Sequence, residues 1–407
     1  MNKNTRNKNA SATSVDVQLM NLNKAVSFHQ QGDLQSAQNL YKQILLQNPN
    51  NSEALHLLGV IAHQTGKNNE AVALIDKAIQ INPNSASYYS NKGLALAALK
   101  KFEEAVAAYD KAIILNGNYA DAFYNRGLAL HKYQKFHEAI ASYKKAIHLQ
   151  PKLSDYMIGL LNASIFAGSY EEILTYFQRY SNLLWTQTDE AFDKDYCHSL
   201  IATKTTVDPL KRRDRFRFLI NKFKETSNLN GFVAECGCFK GLSSHLMCKT
   251  IKSANSDFLG EDFQIFDSFE GLSELQEEDQ ELASAGNSHR PPYEIMKEGN
   301  FAVALDIVKA NLSEFPYIQY FKGWIPEAFP KDNKNKYRFV HVDVDLYQPT
   351  LDSFEYFWPK LLPGGVMICD DFNWSGAEKA VKEFSAKHGA LFNVSPFNQA
   401  YFIKINN

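Results

Sequence analysis

Two pairs of aspartates set the chemistry open to this sequence. Asp343 and Asp345 follow the apolar run Phe339–Val342, and Asp370 and Asp371 follow Val366–Ile368. Short apolar runs bounded by turn residues read as buried strands. If those strands are neighbours in a parallel sheet, both pairs end at one edge, where ligands bind in such folds. Carboxylates that converge there repel one another unless a cation neutralises them. An all-oxygen ligand set suits a hard ion such as Mg²⁺. The competing reading is four turn aspartates that cap the helices after them.

Two further motifs lie upstream. In "VAECGCFKGLSSHLM" an apolar run leads through Glu235, Gly237 and Gly241 into a helical pattern. Glycines in such a turn let main chain approach a ligand closely, and a helix N-terminus offers amide donors to an anionic group. Glu235 could accept from an ammonium. In "IFDSFEGL" the next apolar run closes on Asp267, where an acidic residue can hold the two hydroxyls of a ribose. Alone, the glycine turn is an ordinary strand-to-helix connection. With Asp267 on the following strand, the pair points to a nucleoside-bearing cofactor. The chain lacks G-x-G-x-x-G, which weighs against a dinucleotide-dependent dehydrogenase.

The elements that must position these residues alternate. A helix is expected from about Pro209 to Lys224. Strands are expected at Phe232–Cys236, Gln264–Phe266, Ile318–Phe321, Phe339–Val342 and Val366–Ile368, with a closing antiparallel pair near Leu391–Val394 and Tyr401–Ile405. Strands alternating with helices indicate an α/β fold with a mostly parallel sheet. The polar stretch Ser273 to Gly299, with Pro291-Pro292, reads as an insertion over an acceptor site, where Arg290 and Tyr293 could touch substrate.

The first half has a different periodicity. Pro49, Pro83 and Pro151 stand on one 34-residue ladder, with Gly117 on the missing rung. Gly59, Gly93 and Gly127 form a second ladder that Ala25 begins, and Ala37, Ala71, Ala105 and Ala139 a third. Ile44, Ala78, Ala112 and Ala146 form a fourth. Period and residue types resemble the tetratricopeptide repeat. The resemblance implies stacked helix pairs with a concave groove that binds a protein partner. Tyr88, Asn91, Asn125 and Arg126 are candidates for its lining. Residues 1–15 are expected to form a disordered tail, 16–153 the repeats, 154–188 a degenerate capping repeat and 189–407 the α/β domain.

Net charge is only −2, which argues against nucleic acid or a membrane surface as the main partner. The basic run Lys211-Arg212-Arg213 reads as a solvated helix face. No apolar stretch is long enough for a membrane span. The five cysteines lack zinc or redox spacing, and reduced, buried thiols suit a cytoplasmic protein.

From about Gly231 to Lys404 the sequence resembles the macrocin O-methyltransferase family of sugar O-methyltransferases. "VAECGCFKGLSS", "FDSFEGL", "FKGWIPEAFP", "HVDVDLYQPTLDSFEYFWPKLLPGGVMICDDF" and "FNQAYFIK" carry the resemblance. It implies a class I (Rossmann-like) methyltransferase domain that uses S-adenosyl-L-methionine. It places Glu235, Gly237, Gly241, Asp267 and Ser268 around that cofactor, and Mg²⁺ on Asp343, Asp370 and Asp371. The acceptor is then a sugar hydroxyl, and Asp343 or Asp345 the group that takes its proton. His341, His245 and His289 read as structural. A homo-oligomer is compatible with this organisation. The alternative is a repeat scaffold whose second domain is catalytically idle.

Overall fold

The computed structural model describes residues 14–151, 154–181, 189–206, 209–280, 297–372 and 374–405. The expected tail up to residue 13, and Arg290, Tyr293 and His289 with the centre of the expected insertion, lie outside the described residues. The chain divides into two compact units, Met1–Ala167 and Gly168–Asn407.

The first unit is a solenoid of antiparallel helix pairs. They are α1 (Ser14–Gln30) with α2 (Leu34–Gln47), α3 (Ser52–Gln64) with α4 (Asn68–Ile81), α5 (Ala86–Ala98) with α6 (Phe102–Leu115), and α7 (Ala120–Lys132) with α8 (Phe136–Leu149). A ninth helix, α9 (Ser154–Ala167), packs on α8.

The ladders have a packing cause. A Cβ at Gly59 would come within 2.7 Å of Ile75, one at Gly93 within 2.6 Å of Tyr109, and one at Gly127 within 2.7 Å of Tyr143. The small residue on the first helix is therefore the socket for a large residue on the second. Tyr41, Ile75, Tyr109 and Tyr143 repeat at the same step as their sockets and are all buried. Ala37, Ala71, Ala105 and Ala139, each fully buried, lie in the first turn of the second helix of each pair.

The second helices stop at residues of one conformation. Asn48, Asn82 and Gln150 take φ between −138° and −132°, as a residue before proline must. Asn116 adopts φ −141° before Gly117, without a proline to enforce it. The stop thus belongs to the packing of the array, and proline only reinforces it.

Three residues expected in the groove are engaged within the array. Tyr88 is buried, packs at a tilt against His56 and donates to Glu53 at 2.8 Å. Asn91 bonds His56 at 2.7 Å, and Arg126 reaches Asp110 at 2.6 Å and Ser142 at 2.7 Å.

The second unit opens with α10 (Tyr170–Ser181), α11 (Glu190–Thr203) and α12 (Pro209–Lys224). Then come β1 (Phe232–Cys236), α13 (Leu242–Ala254), β2 (Phe263–Asp267), α14 (Glu277–Gln280), α15 (Leu305–Asn311), β3 (Gln319–Lys322) and β4 (Tyr337–Val342). The unit closes with α16 (Tyr347–Phe357), β5 (Leu361–Cys369), α17 (Ser375–His388), β6 (Phe392–Val394) and β7 (Ala400–Ile403). The sheet runs β3-β2-β1-β4-β5-β7-β6, parallel except at β7, which is antiparallel to both its neighbours. The chain is therefore a repeat solenoid followed by an α/β domain.

Alternation along the strands assigns the two faces. Ala234, Cys236, Val340, Val342, Met367 and Cys369 point into a core with Phe354 and Phe357 of α16 and Val381 and Phe384 of α17. The intervening residues, Val233, Glu235, Phe339 and His341, lie on the other face, where Phe223 of α12 packs edge-on against Phe339. With both faces covered, every residue of β4 is buried. β5 begins earlier than its apolar run predicts. The ladder slips between Tyr337 and Phe339, so Pro363-Gly364-Gly365 fits inside the strand, and Gly364 and Gly365 bond Lys404. Among the described residues no helix is long and apolar enough to cross a membrane.

Candidate active site

β1, β2, β4 and β5 end at one edge of the sheet, above a cleft of about 220 Å³. Gly237, Asp267, Ser268, Asp343, Asp345 and Asp371 all line it. Glu235, Gly241 and Asp370 are not among its lining residues.

The turn after β1 is shaped by the strand beside it. Gly237 has φ +78°, and a Cβ there would lie 2.0 Å from the Asp343 carbonyl oxygen. The Gly237 amide donates to Phe266 and the Asp343 amide to Cys236, at 2.9 and 2.8 Å. Gly241, φ +84°, starts α13. Asp267 is fixed by main chain, accepting from the amides of Cys238 at 2.8 Å and Phe269 at 2.6 Å. The Ser268 hydroxyl donates to the Gly271 carbonyl and accepts from the Glu270 amide.

Behind the cleft lies a buried polar chain. Glu235 and His341 are register partners on β1 and β4, on one face, and both are fully buried. The His341 Nδ1–H donates to Glu235 at 2.8 Å, and the Ser244 hydroxyl of α13 donates to the other Glu235 oxygen. Both carboxylate oxygens are thus engaged inside the protein. On its far side, His341 Nε2 stands 3.7 Å from Asp370. Burial alone would depress the imidazole pKa, but the carboxylates of Asp370 and Glu235 on either side outweigh it and hold His341 well above its usual value.

The acidic edge is sorted by its neighbours. Asp370 is buried, accepts from the Gln399 amide and pairs with Arg215. Burial would raise its pKa, but Arg215 and His341 hold it far below the carboxylate range. Asp343 and Asp345 shift the other way. Burial first, and then repulsion from Asp371, pushes both well above their usual value. Asp343 still keeps 34% of its side chain open to the cleft. Two trios bring their ligand atoms within 4.8 Å of one another: His341, Asp343 and Asp370, and Asp343, Asp345 and Asp371. Asp371 is buried, and its Oδ2 has no hydrogen-bond partner among the described residues. Asp345 holds φ +62°, an uncommon backbone state for a non-glycine residue and one found at constrained sites.

Residues that local patterns did not single out complete the cleft. Arg212 and Arg215 reach it from α12, with Trp324 and Trp374 as apolar wall. Arg212 and Arg213 are therefore not part of a solvated face. Arg213 is 1% exposed and clasps Asp193 with two bonds of 2.6 and 2.9 Å. The run itself was the one available signal. Three arginines within four residues exceed what a helix needs for solubility, yet their partners lie far away in sequence.

His245 does sit in a structural role. It is buried on α13, bonds the Ser199 hydroxyl at 3.0 Å and packs edge-on against Phe315. Burial lowers its pKa to about 4, although Glu314 opposes the shift. Its folded pKa is depressed, so its contribution is complete above the unfolded value near 6.5 and is lost as pH falls toward 4. Between pH 7.5 and 5 this costs about 2 kcal/mol. The stability gap between wild type and His245→Gln in urea titrations is expected to shrink by that amount. A gap that stays constant with pH refutes the assignment.

Both halves of the chain are similar to known proteins. Tetratricopeptide-repeat families match residues 28–93, 93–134 and 120–153. The 8-demethyl-8-(2,3-dimethoxy-alpha-L-rhamnosyl)-tetracenomycin-C 4'-O-methyltransferase of Streptomyces olivaceus is 26% identical over 188 residues, covering 45% of this chain and 69% of the relative. Mycinamicin III 3''-O-methyltransferase of Micromonospora griseorubida is 24% identical over 163 residues, covering 39% of this chain and 62% of the relative. A crystal structure of MamA is 29% identical over 39% of this chain and 92% of its own, with a TM-score of 0.37. Residues 189–399, a little over half of the length, match the Macrocin-O-methyltransferase (TylF) family, and the chain belongs to that family.

Proposed function

We propose that the α/β unit transfers a methyl group from S-adenosyl-L-methionine to a hydroxyl of a sugar-bearing acceptor, with Mg²⁺ bound at the acidic edge. The observation that carries this reading is the shared cleft. The Gly237 turn and Asp267, at the ends of β1 and β2, open onto the same space as Asp343, Asp345 and Asp371. The rhamnosyl and mycinamicin relatives named above supply the O-methyl chemistry and the sugar.

In this reading Asp267 and Ser268 hold the ribose of the methyl donor. Gly237 admits its methionine portion, and Gly241 opens the helix whose amides face it. Glu235 acts from behind, fixed by Ser244 and His341. The residues at the edge fit a hard divalent ion. In the trio Asp343, Asp345 and Asp371 every donor is oxygen, the three converge, and the buried Asp371 Oδ2 lacks a partner among the described residues. Arg212 and Arg215 reach the same cleft from α12, and Arg215 pairs with Asp370 and Asp371, so part of this negative charge is already offset. Asp343 and Asp371, with Asp370 beside them, would hold Mg²⁺, and Asp345 completes the second trio. A bound ion supplies Lewis acidity that makes an acceptor hydroxyl easier to deprotonate.

The step itself is an in-line displacement. The acceptor oxygen forms a bond to the methyl carbon as the sulfonium–methyl bond breaks. The hydroxyl proton passes to the Asp345 carboxylate, and S-adenosylhomocysteine leaves. Trp324 and Trp374 keep the cleft partly dry. The repeats are proposed to bind a protein partner that presents the acceptor.

The test is incubation of the full chain with methyl-labelled S-adenosyl-L-methionine, Mg²⁺ and a panel of rhamnosides and other deoxyglycosides. Mass spectrometry should find one methyl group gained, and a chelator should abolish it. Absence of donor binding by calorimetry leaves the idle-scaffold reading instead.

A further inference from the structure

Arg215 touches each acid that the family resemblance assigns to the metal. Its guanidinium pairs with the Asp370 carboxylate, donates to Asp371 Oδ1 at 3.0 Å and to the Asp370 carbonyl at 2.9 Å, and stands 3.9 Å from Asp343 Oδ1. Only 19% of the side chain is exposed, and its Nε is buried with no partner among the described residues. α12, which carries it, also packs against α13 and β5, so the guanidinium is delivered from a fixed element.

A guanidinium and a divalent ion compete for the same oxygens. Asp371 shows the division: Oδ1 accepts from Arg215, while the buried Oδ2 is left without a partner among the described residues. Two cations within a few ångströms also repel each other. We infer that Arg215 is a tethered cation that keeps the acidic edge assembled when no metal is bound, and that it lowers the affinity with which a divalent ion binds there. By linkage, metal entry weakens the bonds of Arg215, and removing Arg215 strengthens metal binding by the same free energy. The site exchanges one cation for another rather than collapsing when it is empty. Metal-free protein is then no less ordered than metal-bound protein, and the ion can come and go.

This inference rests on the metal reading proposed above. The experiment is Mn²⁺ titration calorimetry, with thermal unfolding in EDTA and in Mn²⁺, on full-length wild type, Arg215→Gln and Arg215→Lys. Wild type should melt only slightly higher in Mn²⁺ than in EDTA, by the small rise that its weaker binding supplies. R215Q should melt several degrees lower in EDTA, recover in Mn²⁺, and bind Mn²⁺ about tenfold more tightly. R215K keeps a charge and should lie between them. If R215Q folds only when Mn²⁺ is present throughout purification, while R215K folds without it, the inference is supported. Equal or weaker Mn²⁺ binding by R215Q overturns it alone. Absence of Mn²⁺ binding by every protein overturns the metal reading and this inference with it.

Discussion

Asp343→Asn is expected to slow methyl transfer about a thousandfold, roughly 4 kcal/mol of transition-state stabilisation, while donor binding changes only severalfold. The two effects separate because of where Asp343 sits. Its side chain belongs to both acidic trios, whereas its backbone braces the Gly237 turn. Asparagine keeps the shape and the main-chain bond to Cys236 but removes the charge. Initial rates at saturating donor, with calorimetry of donor binding on the same preparations, separate the two effects. Turnover within tenfold of wild type would remove Asp343 from the chemistry.

Gly237→Ala is expected to damage both fold and function. The residue lies in the left-handed region at φ +78°, which costs any other residue about 1 kcal/mol. The steric clash costs more. The new methyl would sit 2.0 Å from the Asp343 carbonyl oxygen, a backbone atom that cannot swing aside. The ends of β1 and β4 must part, breaking the bond between the Asp343 amide and Cys236 that joins them. A loss of about 3–5 kcal/mol, together with loss of donor binding, is expected from urea titration and calorimetry. Gly389→Ala is the control. Its φ is +61°, but a Cβ there would meet nothing within 4 Å, so only the backbone cost of about 1 kcal/mol should remain. Equal losses in the two variants would show that strain, not the contact with Asp343, governs the turn.

How much of this is legible in the sequence depends on range. The repeat ladders are visible because each socket recurs every 34 residues. The filler ladder of Tyr41, Ile75, Tyr109 and Tyr143 is harder to see because isoleucine interrupts the tyrosines. Strands β1, β2 and β4 are readable as apolar runs that end in acidic or glycine residues. The early start of β5 is not, because Pro363-Gly364-Gly365 looks like a turn until a register slip accommodates it. At the site, Gly237, Asp267, Asp343 and Asp371 stand where the motifs place them. Glu235 has its bonding spent on Ser244, from the helix that its own motif opens, and on His341, a pairing set by strand register rather than by any local motif. Arg215 is legible only as part of a basic run, because its partners lie 155 and 156 residues away and nothing near it in the chain marks the pairing.

The position of β7 fixes when this site comes into being. β7 follows every other strand in chain order, yet it is inserted between β5 and β6, and Gln399 immediately before it supplies the amide that holds Asp370. While the chain is being made, β1, β2 and β4 all precede that amide. The last side-chain contact to Asp370 is thus supplied only after the residues of the Gly237 turn, Asp267 and the strand that braces them have all been added to the chain.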